Sequence, residues 1–153
     1  MTKKSKKNNL LDVCLLGGAT LFGVLTLLLM IAPGAKGTVI EWQLNVYELI
    51  NYLDKTRVGV LLAVIFAACL LAFALLLVVL KLLGKKTKFD LVVAFCGALL
   101  GIVAAVLLFM TKNLIGEGNN GYVALGVGAV LAAIFAIISA CSLCLYAVLK
   151  LKK

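Results

Sequence analysis

The side chains through which this chain could do chemistry are five cysteines, six acids and a few hydroxyls, and it has no histidine. That removes both the commonest general base and the commonest metal ligand. Cys141-Ser142-Leu143-Cys144 has CxxC spacing. Such a pair could bind a soft ion such as Cu(I), or exchange electrons with another thiol. Cys14, Cys96, Cys141 and Cys144 all fall toward the lysine-flanked ends of apolar segments, and Cys69 falls near the middle of one. Membrane thiol oxidoreductases work at the opposite, outer side. The expected role of these cysteines is therefore that of small residues tolerated by lipid. No metal or cofactor is expected, and Cys141 and Cys144 are the only candidates for one. Asp12 and Asp90 each follow a lysine cluster and open an apolar run. As first-turn acids they would complement a helix N-terminus. Thr20, Thr26, Ser139 and Ser142 read as packing residues bonded to backbone rather than as a nucleophile set, so no enzymatic activity is expected.

The elements that carry these residues follow from composition. The chain has 153 residues, of which 65% are hydrophobic, and its mean hydropathy is +1.21. A water-soluble domain this small keeps too large a surface to hide that much apolar area. A membrane helix needs about 20 mostly apolar residues. Four stretches qualify, at about 10–32, 58–83, 91–110 and 122–149, with an outer loop at 33–57. The expected fold is an all-α membrane protein, a single four-helix transmembrane domain over 1–153. The first stretch exceeds the 7–15 or so residues of a signal-peptide core, so it is expected to be retained.

Charge sets the expected orientation. The net charge is +9. Eleven lysines lie in the N-terminal tail, in the connection between the second and third spans, and at the C-terminal end. The other connections carry four basic residues and four acids. Positive charge stays inside, which predicts a multi-pass plasma-membrane protein with both termini cytoplasmic. Because the lysines flank apolar segments, the expected partner is the lipid bilayer and not nucleic acid. Each cluster alone is too short to specify a lipid.

The second and fourth spans align with an offset of 69, giving ten identities over Leu62–Leu82, including Lys81 with Lys150. The first and third align with an offset of 78, which pairs Asp12 with Asp90 and Gly23 with Gly101. These matches predict two helical hairpins related by duplication in the same orientation. Within lipid, helices associate through small residues that let backbones approach. Such stripes are Ala19 and Gly23; Gly59, Ala63 and Ala67; Gly97, Gly101 and Ala105; and Ala124, Gly128, Ala132, Ala136 and Ala140. They could pack within one chain or between copies.

In the outer loop, Ile40, Trp42, Leu44 and Val46 alternate with polar residues, which predicts an extended piece. Val46, Leu49, Ile50 and Leu53 then follow helical spacing. Asn45 with Glu48 forms an N-cap signature for a short amphipathic helix on the outer surface. Trp42, Tyr47 and Tyr52 fit an interfacial aromatic belt. The loop reads either as a lid over the bundle or as a strand-adding dock for a partner. Gly116 to Gly121 reads as a flexible turn.

With Met30-Ile31-Ala32-Pro33 closing the first span before a polar loop bearing Trp42, the layout resembles small bacterial four-helix (tetraspan) membrane proteins of no assigned activity. The resemblance implies the layout and no functional residue. Claudin-like tetraspans differ, carrying two cysteines beside the loop tryptophan. The functional expectation is a non-enzymatic accessory or scaffold subunit, with a membrane-protein partner or a homo-oligomer. The alternatives are an oligomeric small-solute transporter or channel and, last, a thiol- or metal-handling protein.

Overall fold

The computed structural model describes residues 3–38, 43–54, 56–83, 89–115 and 123–151, with side chains from residue 10 onward and excluding 52–54. Helix α1 spans Lys3–Leu29, α2 Val58–Leu82, α3 Phe89–Phe109 and α5 Val127–Leu151. A single turn, α4, covers Thr111–Leu114. Each of the four long helices carries a stretch long and apolar enough to cross a membrane. At 1.5 Å per residue, α3 is about 31 Å long and α2 and α5 about 37 Å, against a hydrocarbon core of about 30 Å.

The four helices form a ring in the order α1, α2, α3, α5. Each packs on its chain neighbour and α5 closes against α1, while α2 and α5 barely meet across the middle. The size distribution is the reverse of a water-soluble protein's. Ala63, Ala67 and Ala74 on α2, Ala94, Ala98 and Ala104 on α3, and Ala132, Ala136 and Ala140 on α5 are buried, whereas Leu21, Leu28, Leu75, Leu99, Val106 and Leu145 are exposed. Large side chains facing out and small ones facing in is the arrangement for which lipid is the solvent. The protein is membrane-embedded, and its fold is the expected all-α four-helix bundle.

One end of the bundle is capped. β1 (Pro33–Gly37) lies between β2 (Gln43–Asn45) and β3 (Val123–Leu125) in a small antiparallel sheet. A 3-10 helix, η1, covers Glu48–Asp54. The Asn45–Glu48 signature forms as expected: the Glu48 N–H donates to Asn45 Oδ1 and the Asn45 N–H to Glu48 Oε2, both at 2.9 Å. The expected extended piece is present as β2; Ile40 and Trp42 lie outside the described residues. The short helix is 3-10 rather than α. It is amphipathic as expected, with Glu48 and Asn51 exposed and Leu49 fully buried, and just before it the Val46 N–H donates to Met30 O at 3.0 Å. The loop is thus a lid over this end.

Four expected boundaries shift by two residues or more, among them the end of the fourth span, at Leu151 and not 149. The first span ends at Leu29, not 32, where Ile31 and Ala32 tighten the last turn with bonds to Leu28 O and Leu29 O ahead of Pro33. The third begins at Phe89, two residues before 91. The fourth begins at Val127, not 122, because Val123–Leu125 pair with β1 and Gly126 separates strand from helix. Ala124 therefore belongs to the sheet and not to the helical stripe. Gly116 to Gly121 lie outside the described residues.

Ala132 and Ala136 are fully buried, whereas Ile134 and Ile138 are exposed. Ala132→Leu or Ala136→Leu is expected to lower the melting temperature in detergent, overpacking costing about 1–3 kcal/mol. Ile134→Leu and Ile138→Leu should leave it unchanged. Equal melting for all four variants would mean that this face tolerates bulk and is not close-packed.

Candidate functional site

The end opposite the sheet carries the only ion pairs among the described residues. Asp12 lies well inside α1, and Lys81 is in the last turn of α2. The Lys81 ammonium donates to Asp12 Oδ2 at 2.9 Å. Asp90 is in the first turn of α3 and Lys150 in the last turn of α5, and the Lys150 ammonium donates to Asp90 Oδ2. Both carboxylates are buried, while each lysine side chain keeps about a quarter of its surface exposed. An ionised carboxylate that loses water on this scale needs a counter-charge and hydrogen bonds. Each hairpin supplies one from its own second helix.

Tyr146 stands beside the second pair, one turn before Lys150 on α5. Its side chain is buried and the Lys150 ammonium lies 5.7 Å from the ring centroid. The repeat that carries Lys81 onto Lys150 carries Leu77 onto Tyr146, so the phenol is where the two halves of this cluster differ.

Sequence reasoning assigned the two acids to helix N-termini. That holds in part for Asp90 and fails for Asp12, because α1 begins at Lys3. The ion pairs were missed because their partners are 69 and 60 residues apart. The signal was present. The two offsets that match acid to acid and lysine to lysine describe one repeat, so a pair in one hairpin implies a pair in the other.

No family model, curated protein or solved structure matches this chain. The reading of the site therefore rests on its own geometry.

The candidate packing residues fall inside the chain. A Cβ on Gly97 would lie 2.9 Å from Leu143 Cδ1 and 3.3 Å from Phe73 Cβ. One on Gly101 would lie 2.9 Å from Ala140 Cβ and 3.1 Å from Leu70. These two glycines thus admit α2 and α5 together, and Ala105 is buried on the same helix. Gly128 serves a different contact: its Cβ position is 2.4 Å from the Ala32 carbonyl oxygen, in the elbow between α1 and β1.

All four hydroxyls donate to backbone carbonyls. Thr20 bonds to Gly17 O (2.8 Å), Thr26 to Phe22 O (2.8 Å) and Ser142 to Ile138 O (2.9 Å). Ser139 reaches across to Ala19 O on α1 at 2.7 Å, near the stacked Phe22 and Phe135 rings, whose centroids are 5.6 Å apart. Their protons are committed to packing. Cys141 is exposed on the outer face of α5 and Cys144 half-buried. Among the described residues no group of three or more acids, cysteines or histidines is placed to hold a metal.

Of the aromatic belt, Trp42 and the Tyr52 side chain lie outside the described residues. The Tyr47 hydroxyl donates to Leu27 O at 2.9 Å, tying the lid to the C-terminal turn of α1. Burial pushes the Tyr47 phenol above its ordinary pKa, which keeps this donor protonated.

Proposed function

We propose that this protein is a non-enzymatic accessory or scaffold subunit of the plasma membrane, with both termini in the cytoplasm. The supporting observation is a bundle filled along its depth. Leu16, Leu70, Leu77, Leu108 and Leu143 are at most 1% exposed, and Gly97 and Gly101 leave no room for a methyl group. A body packed this way suits holding other helices against its large outward side chains better than passing a solute through itself.

Co-purification after mild detergent extraction tests this reading. A stable heteromeric membrane partner is the expected result. A homo-oligomer that carries solute flux in liposomes would replace it with an oligomeric transporter or channel, an alternative favoured by the repeated ion pairs.

The orientation has its own test. In a cysteine-free background, a membrane-impermeant thiol reagent added to intact cells should label cysteines placed at Lys36 and Asn119 and spare one at Thr87. Labelling at Thr87 from outside would reverse the orientation. Lys36 is preferred to Gly34, two residues before it, whose Cβ would lie 2.8 Å from the Val46 side chain.

A further inference from the structure

Glycine is, after proline, the poorest helix former, so a glycine inside a helix needs a reason. In α2, α3 and α5 the reason is close approach. A Cβ would lie 2.6 Å from Leu114 at Gly59, 2.9 Å from Leu143 at Gly97, 2.9 Å from Ala140 at Gly101 and 2.4 Å from the Ala32 oxygen at Gly128. Gly23 in α1 is of the same kind, with Leu71 at 3.2 Å. The adjacent pair Gly17-Gly18 is not. Nothing lies within 4 Å of the Cβ position at Gly17, and at Gly18 only Ser142 Oγ does, at 4.0 Å. The repeat puts Phe95 and Cys96 at the matching places in α3. Packing would accept a side chain at both positions of α1, and what the glycine pair adds is freedom to bend.

Helix α1 is held unequally on the two sides of this pair. From Ala19 onward it is anchored: Ser139 donates to Ala19 O at 2.7 Å, Phe22 stacks on Phe135, and Gly23 lets Leu71 of α2 close in. From Leu10 to Leu16 only Asp12 and Leu16 are buried, whereas Leu10, Leu11, Val13 and Cys14 are exposed. This stretch is tied to α2 by the bond from the Lys81 ammonium to Asp12. A bend at the pair also suits lipid. Thr20 Oγ1 already donates to Gly17 O at 2.8 Å, and such a hydroxyl keeps a carbonyl partnered when the helix bond to it opens.

We propose that residues 10–16 of α1 form an arm that swings about a Gly17-Gly18 hinge and is latched to α2 by the Asp12–Lys81 ion pair. A kink of about 20° at the hinge moves Asp12, about 8 Å away along the helix, by about 3 Å, enough to part the pair. Ser139 meets Ala19 and Ser142 faces Gly18, so α1 and α5 run antiparallel in a register that brings Tyr146 level with Asp12. Opening the arm therefore uncovers the side of α5 that bears Ser142 and Tyr146. The second hairpin has the ion pair without the glycines, so the device belongs to the first hairpin alone. This inference rests on the packing of the bundle and not on the subunit reading or on the orientation.

The test uses the full chain in lipid vesicles, with its five cysteines replaced by alanine. Spin labels at Leu10→Cys and Val92→Cys, both outward-facing, report on the arm, and labels at Leu28→Cys and Val106→Cys report on the anchored half. Pulsed electron–electron double resonance should give one main distance for each pair of labels. Lys81→Met, and the milder Asp12→Asn, should add a second population between positions 10 and 92. Its displacement should be about 4 Å, which a kink of about 20° gives seven residues from the hinge. Positions 28 and 106 should keep their distance. Adding Gly17→Ala and Gly18→Ala should abolish the second population, because alanine fits both places and stiffens the helix. A single distance between positions 10 and 92 in both latch variants, an equal change between 28 and 106, or a second population that survives the two alanines would overturn the proposal.

Discussion

Gly126→Ala should unseat the lid and lower the melting temperature more than a methyl added at Gly17, Gly97, Gly101 or Gly128. The added Cβ would lie 2.1 Å from the Pro33 carbonyl oxygen, 2.6 Å from its carbon and 2.7 Å from the Gly34 carbonyl carbon. These are backbone atoms, so no rotamer change relieves the clash. The strand must move, and the bond from the Gly126 N–H to Gly34 O, 2.8 Å long, goes with it. Overpacking of about 1–3 kcal/mol then adds to about 1 kcal/mol for the lost hydrogen bond. Gly128→Ala should follow the same course, since its Cβ would lie 2.4 Å from the Ala32 oxygen. Gly17→Ala is the control. Nothing lies within 4 Å of its Cβ position, and alanine favours a helix by up to about 1 kcal/mol over glycine. Thermal unfolding in detergent by circular dichroism separates the three. A Gly126→Ala protein that melts with wild type would mean that β1 does not cross the start of α5 this closely.

The second large effect concerns the ion pairs. Lys81→Met removes the Lys81 ammonium from the buried Asp12 carboxylate. Breaking a buried pair from one side costs about 3–5 kcal/mol. Because the Lys81 side chain is 27% exposed and stands near the end of the bundle, about 2–3 kcal/mol is expected. Removing both charges, as in Asp12→Leu with Lys81→Leu, should cost far less, since no uncompensated charge remains. Lys150→Met should behave as Lys81→Met does, and Asp90→Leu with Lys150→Leu as the first double variant does. The double-mutant cycle is read from unfolding midpoints. If each double variant lost as much as the sum of its singles, the two charges would not be coupled and the pairing would be incidental.

What was legible in the sequence depended on range. The spans are visible because a run of about 20 apolar residues needs no tertiary information to be recognised. The Asn45–Glu48 box was equally legible, its two bonds joining residues three apart. The fourth span's start was not. Val123–Leu125 are as apolar as the helix that follows, and only their pairing with β1, far away in sequence, makes them a strand. The ion-pair site was half legible: matched acids and matched lysines were both in view, but their joining depends on which helices become neighbours. The hydrogen bond from Tyr47 to Leu27 left no trace in spacing, because a belt tyrosine and a capping tyrosine look alike in sequence.

The sheet also imposes an order in time. β1 follows directly on α1, whereas β3 stands just before α5. A chain emerging from its N-terminus can form the α1–α2 hairpin and pair β1 with β2 while the other edge of β1 is still waiting. That edge is filled only when residues 123–125 have been made, and the Gly126 bond to Gly34 then fixes α5 beside α1. Ring closure and lid completion are thus one event, which waits until residues 123–151 have been made. A chain cut short before β3 would present an open strand edge on a half-built bundle, a ready mark by which quality control could tell an unfinished molecule from a finished one.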